Sequence, residues 1–552
     1  MTAGNGGDLR YAWTAAPCPL IGLVAGLCLG SPAAFAQIPE SAATAPTSQS
    51  NAGPNAKVLH FDILEYVVDG NSVLSVPDIE QAVYPFLGEG RTSDDVDQAR
   101  AALEKAYQDR GFQTVQVLIP KQGVETGTIH LRVVENPIGR LRVVNSQYHT
   151  LSKIKETAPS VAEGKVPNMN EVQGDIVALN QQPDLKVTPQ LKAGQVPGTV
   201  DIDLQVEDKF PLHGSVELNN QYNQDTTPLR TVGTVSYGNL WQLGHSLSLS
   251  YQIAPERPND AEVFSATYVA PVPRTNLSLL VYGVKSDSDV AAIAGTDVVG
   301  RGNIIGGRAI VSLPGSDGFY HSVTAGMDRK DLLQNVVTAG IESKAPILYY
   351  PITLAYSATL ADKDTTTQFD ASLNFALQGA GSGSQDFDFQ RFSALRQYLY
   401  LKAGASRTQP LPWGFSAYGK IDGQITNDPL LTSEQFSMGG ESSVRGYLEA
   451  ERLGDYGAHA TFEVRTPSFG QDISSKINDW HFITFVDGAA LAIQNPLPEE
   501  QHAFAMLGTG VGMRITMFDF LNGAFDVAYP IEDGAATKAG NLRFHFLVSS
   551  GF

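Results

Sequence analysis

Cysteine is nearly missing from this chain of 552 residues: there are two, Cys18 and Cys28, both close to the start. Everything after residue 28 therefore lacks the means for a disulfide framework or a cysteine-held metal site. Long apolar runs are missing as well. Past residue 36 no stretch approaches the roughly 18 consecutive apolar residues that a membrane-crossing helix needs. Basic residues are outnumbered, with 38 Lys and Arg against 58 Asp and Glu for a net charge of -20. No basic stripe occurs, so nucleic acid is set aside as a partner. The sequence carries no P-loop, no HExxH and no nucleophile elbow, and its ten histidines stand singly. No cofactor, metal or catalytic residue is expected, and the chain does not read as an enzyme.

What is present begins with "MTAGNGGDLRYAWTAAPCPLIGLVAGLCLGSPAAFAQ", with one basic residue (Arg10), an apolar run from Leu20 to Leu29, and small residues at Ala34 and Ala36. Residues 1–36 read as a secretory signal cleaved after Ala36, which takes both cysteines with it. Leu27 before Cys28 does not suit a lipidation site. Residues 37–56 are rich in Ala, Ser, Pro and Asn without a period and read as a flexible lead-in.

Residues 57–136 form a first α/β unit. "KVLHFDILEYVV" reads as a strand and "SVPDIEQAVYPFLGEG" as a short helix. "SDDVDQARAALEKAYQDRG" is a longer helix, with Val96, Ala99, Leu103 and Ala106 on one face and Gly111 at its C-terminal cap. Two strands follow, "TVQVLIP" and "GTIHLRVVEN". Residues 137–208 repeat the plan, from "PIGRLRVVNS" through two weaker helical patterns to "TVDIDLQVED".

From residue 209 to 552 helical periodicity vanishes, and sixteen segments of alternating polarity follow one another between turns. A chain with no helical span can still cross a bilayer as a closed barrel of such strands. A soluble β-sandwich is the alternative. The last segment, "NLRFHFLVSSGF", puts Leu542, Phe544, Phe546, Val548 and Phe552 on one face and Arg543, His545 and Ser549 on the other. That pattern fits lipid outside and a polar lumen inside. The expected fold is a transmembrane β-barrel of 16 antiparallel strands behind two α/β units.

Between the eleventh and twelfth strands lies a long loop, 427–455, containing "QFSMGG" and then Val444, Arg445, Gly446 and Tyr447. The thirteenth strand contains "FVDG", Phe485 to Gly488. Phe485 and Asp487 share a face with Ile483, opposite Phe482, Thr484 and Val486. If the latter set meets lipid, Asp487 points into the lumen, within reach of an arginine tucked in from the loop. The plainer alternatives are a solvated loop Arg445 and an Asp487 that is one of many lumen carboxylates.

These motifs and this order of parts resemble the outer-membrane transporters of two-partner secretion, the hemolysin secretion/activation (ShlB/FhaC/HecB) family of the POTRA-plus-barrel superfamily. The resemblance implies that 57–136 and 137–208 are periplasmic POTRA domains and that 427–455 is the sixth extracellular loop, loop 6, folded back into the lumen. It implies that Arg445 pairs with Asp487. It further implies a partner exoprotein, such as an adhesin or hemolysin, that is bound in the periplasm and passed through the barrel without ATP. An exposed strand edge beside a helix suits capture of an extended segment, and "TVQVLIP" is the candidate edge. Phe552 resembles the terminal aromatic signal read by the outer-membrane assembly machinery. The alternative is a barrel-assembly or insertase protein of the same superfamily.

Overall fold

The computed structural model describes residues 59–552, apart from 181, 183, 225, 289, 294–295, 300, 339–340, 377–378 and 499. The expected signal and lead-in lie outside the described residues. The chain divides into two compact units, one ending at Phe210 and one spanning Pro211–Phe552.

The N-terminal unit holds two three-stranded sheets, each with two α-helices, and a two-stranded ribbon of Phe61–Ile63 with Gly88–Arg91. In the first, Thr128–Val134 is the central strand, parallel to Glu65–Asp69 and antiparallel to Gln116–Leu118. Helix Val76–Val83 starts at Ser75, whose hydroxyl accepts from Asp78 N. Helix Ser93–Asp109 starts where Thr92 N donates to the Asp95 carboxylate at 2.8 Å, and it ends at Gly111, whose φ of 94° permits the left-handed cap. Its buried stripe is Val96, Ala99, Leu103 and Tyr107. Ala106 is partly buried against the same cluster, and Tyr107 joins it, its hydroxyl donating to Asn71 at 2.6 Å. Leu103 is fully buried among Val117, Leu131 and Val133. Leu103→Ala is expected to cost about 2–5 kcal/mol, read as a lower urea midpoint of the first unfolding transition.

The second sheet repeats the arrangement. Val200–Asp208 is central, parallel to Ile138–Val144 and antiparallel to Leu185–Ala193, with helices Leu151–Thr157 and Met169–Asn180 packed on it. The sequence pattern does not disclose strand Leu185–Ala193, because Pro189 lies in its middle. Proline is tolerated there since this is an edge strand. The first unit's edge is also shorter than "TVQVLIP" suggests, at Gln116–Leu118. The outward N–H of Val117 donates to Glu104 of the neighbouring helix at 3.2 Å.

The C-terminal unit is a closed antiparallel barrel. Its strands, β1 to β16 in chain order, are Leu212–Asn219, Arg230–Leu240, His245–Ile253, Glu262–Pro271, Leu277–Ser286, Arg301–Ser312, Phe319–Thr338, Ile341–Asp362, Thr365–Ala376, Leu399–Pro410, Ser416–Thr426, Tyr456–Arg465, Ile477–Ala492, Ala503–Met517, Leu521–Pro530 and Arg543–Gly551. The two stretches that make β8 meet at Tyr350, and both pair with β7. Ring closure is made by β16 against β1, from Leu547 opposite Asn219 to Gly551 opposite Ser215. Alternation places Phe482, Val486, Val511 and Phe544 on the exposed outer face, and Ile483, Phe485, Asp487 and His545 inside.

Two features depart from a uniformly polar lumen. Residues 384–390, between β9 and β10, form a short helix, and β10 begins at Leu399, later than the alternation suggests. Phe387 of that helix joins Leu430 and Leu431 of loop 6 and Tyr282, Tyr349 and Tyr398 in one buried apolar cluster. The lumen of this barrel is therefore partly filled by side chains.

Candidate functional site: the buried arginine of loop 6

Loop 6 turns back so that Val444, Arg445, Gly446 and Tyr447 are all buried against the inner wall. The Arg445 guanidinium meets Asp487 of β13 with two parallel hydrogen bonds, Nε to Oδ2 at 2.7 Å and Nη2 to Oδ1 at 2.8 Å. Its backbone N–H donates to the same carboxylate at 3.1 Å. Nη1 donates to Glu463 of β12 at 2.8 Å and lies 3.9 Å from Asp526 of β15. The ring of Phe485 lies beneath the guanidinium, 3.5 Å from its carbon. This is a planar cation held in a planar fork on an aromatic face, a geometry lysine cannot reproduce.

The neighbouring charges close the network. Arg465 pairs with Glu463 at 2.8 Å, and Arg514 of β14 pairs with Asp526 at 2.7 Å. Arg445, Arg465 and Arg514 thus balance Glu463, Asp487 and Asp526. Asp487 is fully buried and Arg445 is 3% exposed, so removal of either leaves an uncompensated charge away from water.

The rest of the motif fixes the loop backbone. Gly446 has φ 102°, donates its N–H to His545 Nε2 at 3.0 Å and accepts from Arg543 Nε at 3.3 Å. The Tyr447 hydroxyl reaches the carbonyls of Leu507 and Glu532 at 3.1 and 2.8 Å. The Ser443 carbonyl lies 3.0 Å from His459 Nε2. Strand β14 is bare beneath the loop: a Cβ at Gly508 would run into the Arg445 carbonyl oxygen, and one at Gly510 would meet the Phe485 ring.

Of the residues singled out in sequence, the structure brings Val444, Arg445, Gly446, Tyr447, Phe485 and Asp487 together. It leaves out Gly488, which shares the outward parity of Val486 and has ordinary space for a Cβ. Phe552 stands elsewhere, 80% exposed, with its N–H on Gly214 at 3.0 Å. Sequence reasoning missed Glu463, Asp526 and the glycines of β14. The alternating "GTGVG" of 508–512 was the available signal, since glycine inside a strand marks a close backbone approach.

A family model described as haemolysin secretion/activation protein ShlB/FhaC/HecB matches residues 198–515, and one described as POTRA domain, ShlB-type, matches 61–136. The chain belongs to this family. It is similar to the outer membrane transporter CdiB of Dickeya dadantii, 20% identical over 509 residues that cover 89% of this chain and 87% of that protein. It is also similar to the heme/hemopexin transporter protein HuxB of Haemophilus influenzae, 22% identical over 438 residues covering 75% and 74%. The solved structure of CdiB from Escherichia coli has the same fold, with TM-score 0.65 at 18% identity over 91% of this chain and 92% of that one. Members of the family are transporters. This transporter lies in the outer membrane, with its POTRA domains in the periplasm, and it serves a secreted exoprotein partner.

Proposed function

We propose that this two-partner secretion transporter is gated by loop 6, and that Arg445 and Asp487 are the latch. The exoprotein is bound in the periplasm, and loop 6 then leaves the lumen to open a path. Folding of the partner outside the cell gives direction without ATP. The observation that carries this reading is the grip on Arg445, a buried ion pair with three side-chain hydrogen bonds between a loop and the wall it would have to leave. The exoprotein itself, an adhesin, a hemolysin or similar, is set by chemistry outside this chain. Phe552 is the proposed contact for the outer-membrane assembly machinery. The assembly or insertase alternative is weaker, because the matching family model is that of the secretion proteins.

Capture is assigned to the edge Gln116–Leu118 with the helix beside it. Leu118 and Ile119 are 48% and 38% exposed there, an apolar lip for an extended segment. Glu104 covers the Val117 N–H, so an incoming strand must displace that carboxylate. Leu118→Asp is expected to weaken export about fivefold with barrel insertion unchanged, the effect of losing about 1 kcal/mol of interface energy. Co-expression with the secreted partner and assay of the medium measure it, and unchanged export would remove this edge from the proposal.

A further inference from the structure

Loop 6 is held at a second buried carboxylate, far round the wall from the first. Glu434 closes the helical turn Thr432–Glu434 and is 3% exposed. Its Oε1 accepts from Lys330 Nζ of β7 at 2.5 Å and from the Tyr349 hydroxyl of β8 at 2.6 Å. Its Oε2 accepts from the Tyr400 hydroxyl of β10 at 2.7 Å. Tyr349 also meets Ser433 Oγ at 2.7 Å, and its ring lies 5.8 Å from the Lys330 ammonium. These wall donors sit on β7, β8 and β10, whereas the carboxylates around Arg445 sit on β12, β13 and β15.

The surroundings make this cradle specific. Leu430 and Leu431, both fully buried, press into the apolar cluster of Tyr282, Tyr349 and Phe387 beside it. A carboxylate placed there without partners would be strongly unfavourable. Lys330 and the two tyrosine hydroxyls supply an ammonium and two neutral donors converging on one point, and the acceptor that fills it comes from the loop.

We propose that Glu434 is a second mooring of loop 6, independent of Arg445, and that the pore opens only when both have let go. The proposal rests on loop 6 being the gate. Two moorings on separate sectors act in parallel: with Arg445 released, the first half of the loop still lies across the strands β7 to β10. Release of Glu434 alone leaves the tip on Asp487. Each one suffices to keep the path closed, so their loss is more than multiplicative.

The test is the open probability of the full chain in planar lipid bilayers, for Arg445→Ala, Glu434→Gln and the double variant, compared per folded barrel. The double variant is expected to exceed the product of the two single effects by at least about tenfold. Lys330→Met probes the same mooring from the wall and should behave like Glu434→Gln, which covers a Glu434 variant that fails to fold. If Arg445→Ala alone opens as far as the double variant, the second mooring is overturned while the gate stands. A double variant that conducts like the wild type overturns the gate and the mooring together.

Discussion

Replacing Arg445 with alanine is expected to cut export of the partner at least about tenfold while the barrel still reaches the outer membrane folded. The variant leaves Asp487 fully buried with one backbone N–H, where it previously accepted three hydrogen bonds. Glu463 and Asp526 keep Arg465 and Arg514, so the local balance changes from neutral to one net negative charge in a site closed to water. Breaking a buried pair from one side costs about 3–5 kcal/mol, and a loss of about 1.4 kcal/mol already changes a two-state balance tenfold. The tip of loop 6 then has no defined seat, stays in the lumen and competes with the exported chain for the same space. Insertion should survive because the β-strand ladders of the wall do not include the loop. Arg445→Lys is expected to fail nearly as far, since an ammonium cannot make both parallel bonds to Asp487 while also reaching Glu463. Export per folded barrel, read from the medium, is the measurement.

The second large effect falls on stability. Asp455, fully buried, accepts both Arg391 nitrogens at 2.8 and 2.6 Å, together with Gln494 N at 2.6 Å, Leu430 N at 3.0 Å and Gln435 Nε2 at 3.2 Å. Arg391 follows the helix 384–390, and it also donates to the carbonyls of Leu430 and Gln494. One carboxylate therefore ties together the helix-bearing loop, the root of loop 6 and the loop after β13. Asp455→Ala strands a buried guanidinium and several backbone donors at once. We expect a loss of about 3–5 kcal/mol. It should lower the temperature at which the folded barrel converts to the unfolded band on gels by at least about 5 °C. Asp487→Ala, which breaks the latch and leaves the Asp455 junction intact, should lower it less.

The barrel was legible because its physics is local. A strand between lipid and lumen must alternate, and each of the sixteen alternating segments overlaps one of β1 to β16. The elements that escaped are those in which local pattern and tertiary role disagree. Leu185–Ala193 looks broken by Pro189 and is tolerated at an edge. The helix 384–390 is too short to show a period, and its burial depends on Phe387 meeting loop 6. The approach of Arg445 to Asp487 could be argued from parity, since a period of two puts a residue on one face or the other. Glu463 and Asp526 could not be singled out, because lumen-facing charges are common and nothing in their own strands marks them. The cradle of Glu434 joins residues from β7, β8, β10 and loop 6, and no single stretch of sequence contains it.

Whether Arg445 and Asp487 act as one latch is decided by a double-mutant cycle on export. Arg445→Ala, Asp487→Ala and the double variant are compared for partner released to the medium per folded barrel. A similar loss is expected in all three, with the double variant no worse than the more affected single one. Normal export by both single variants, or a double loss equal to the product of the two, would contradict it.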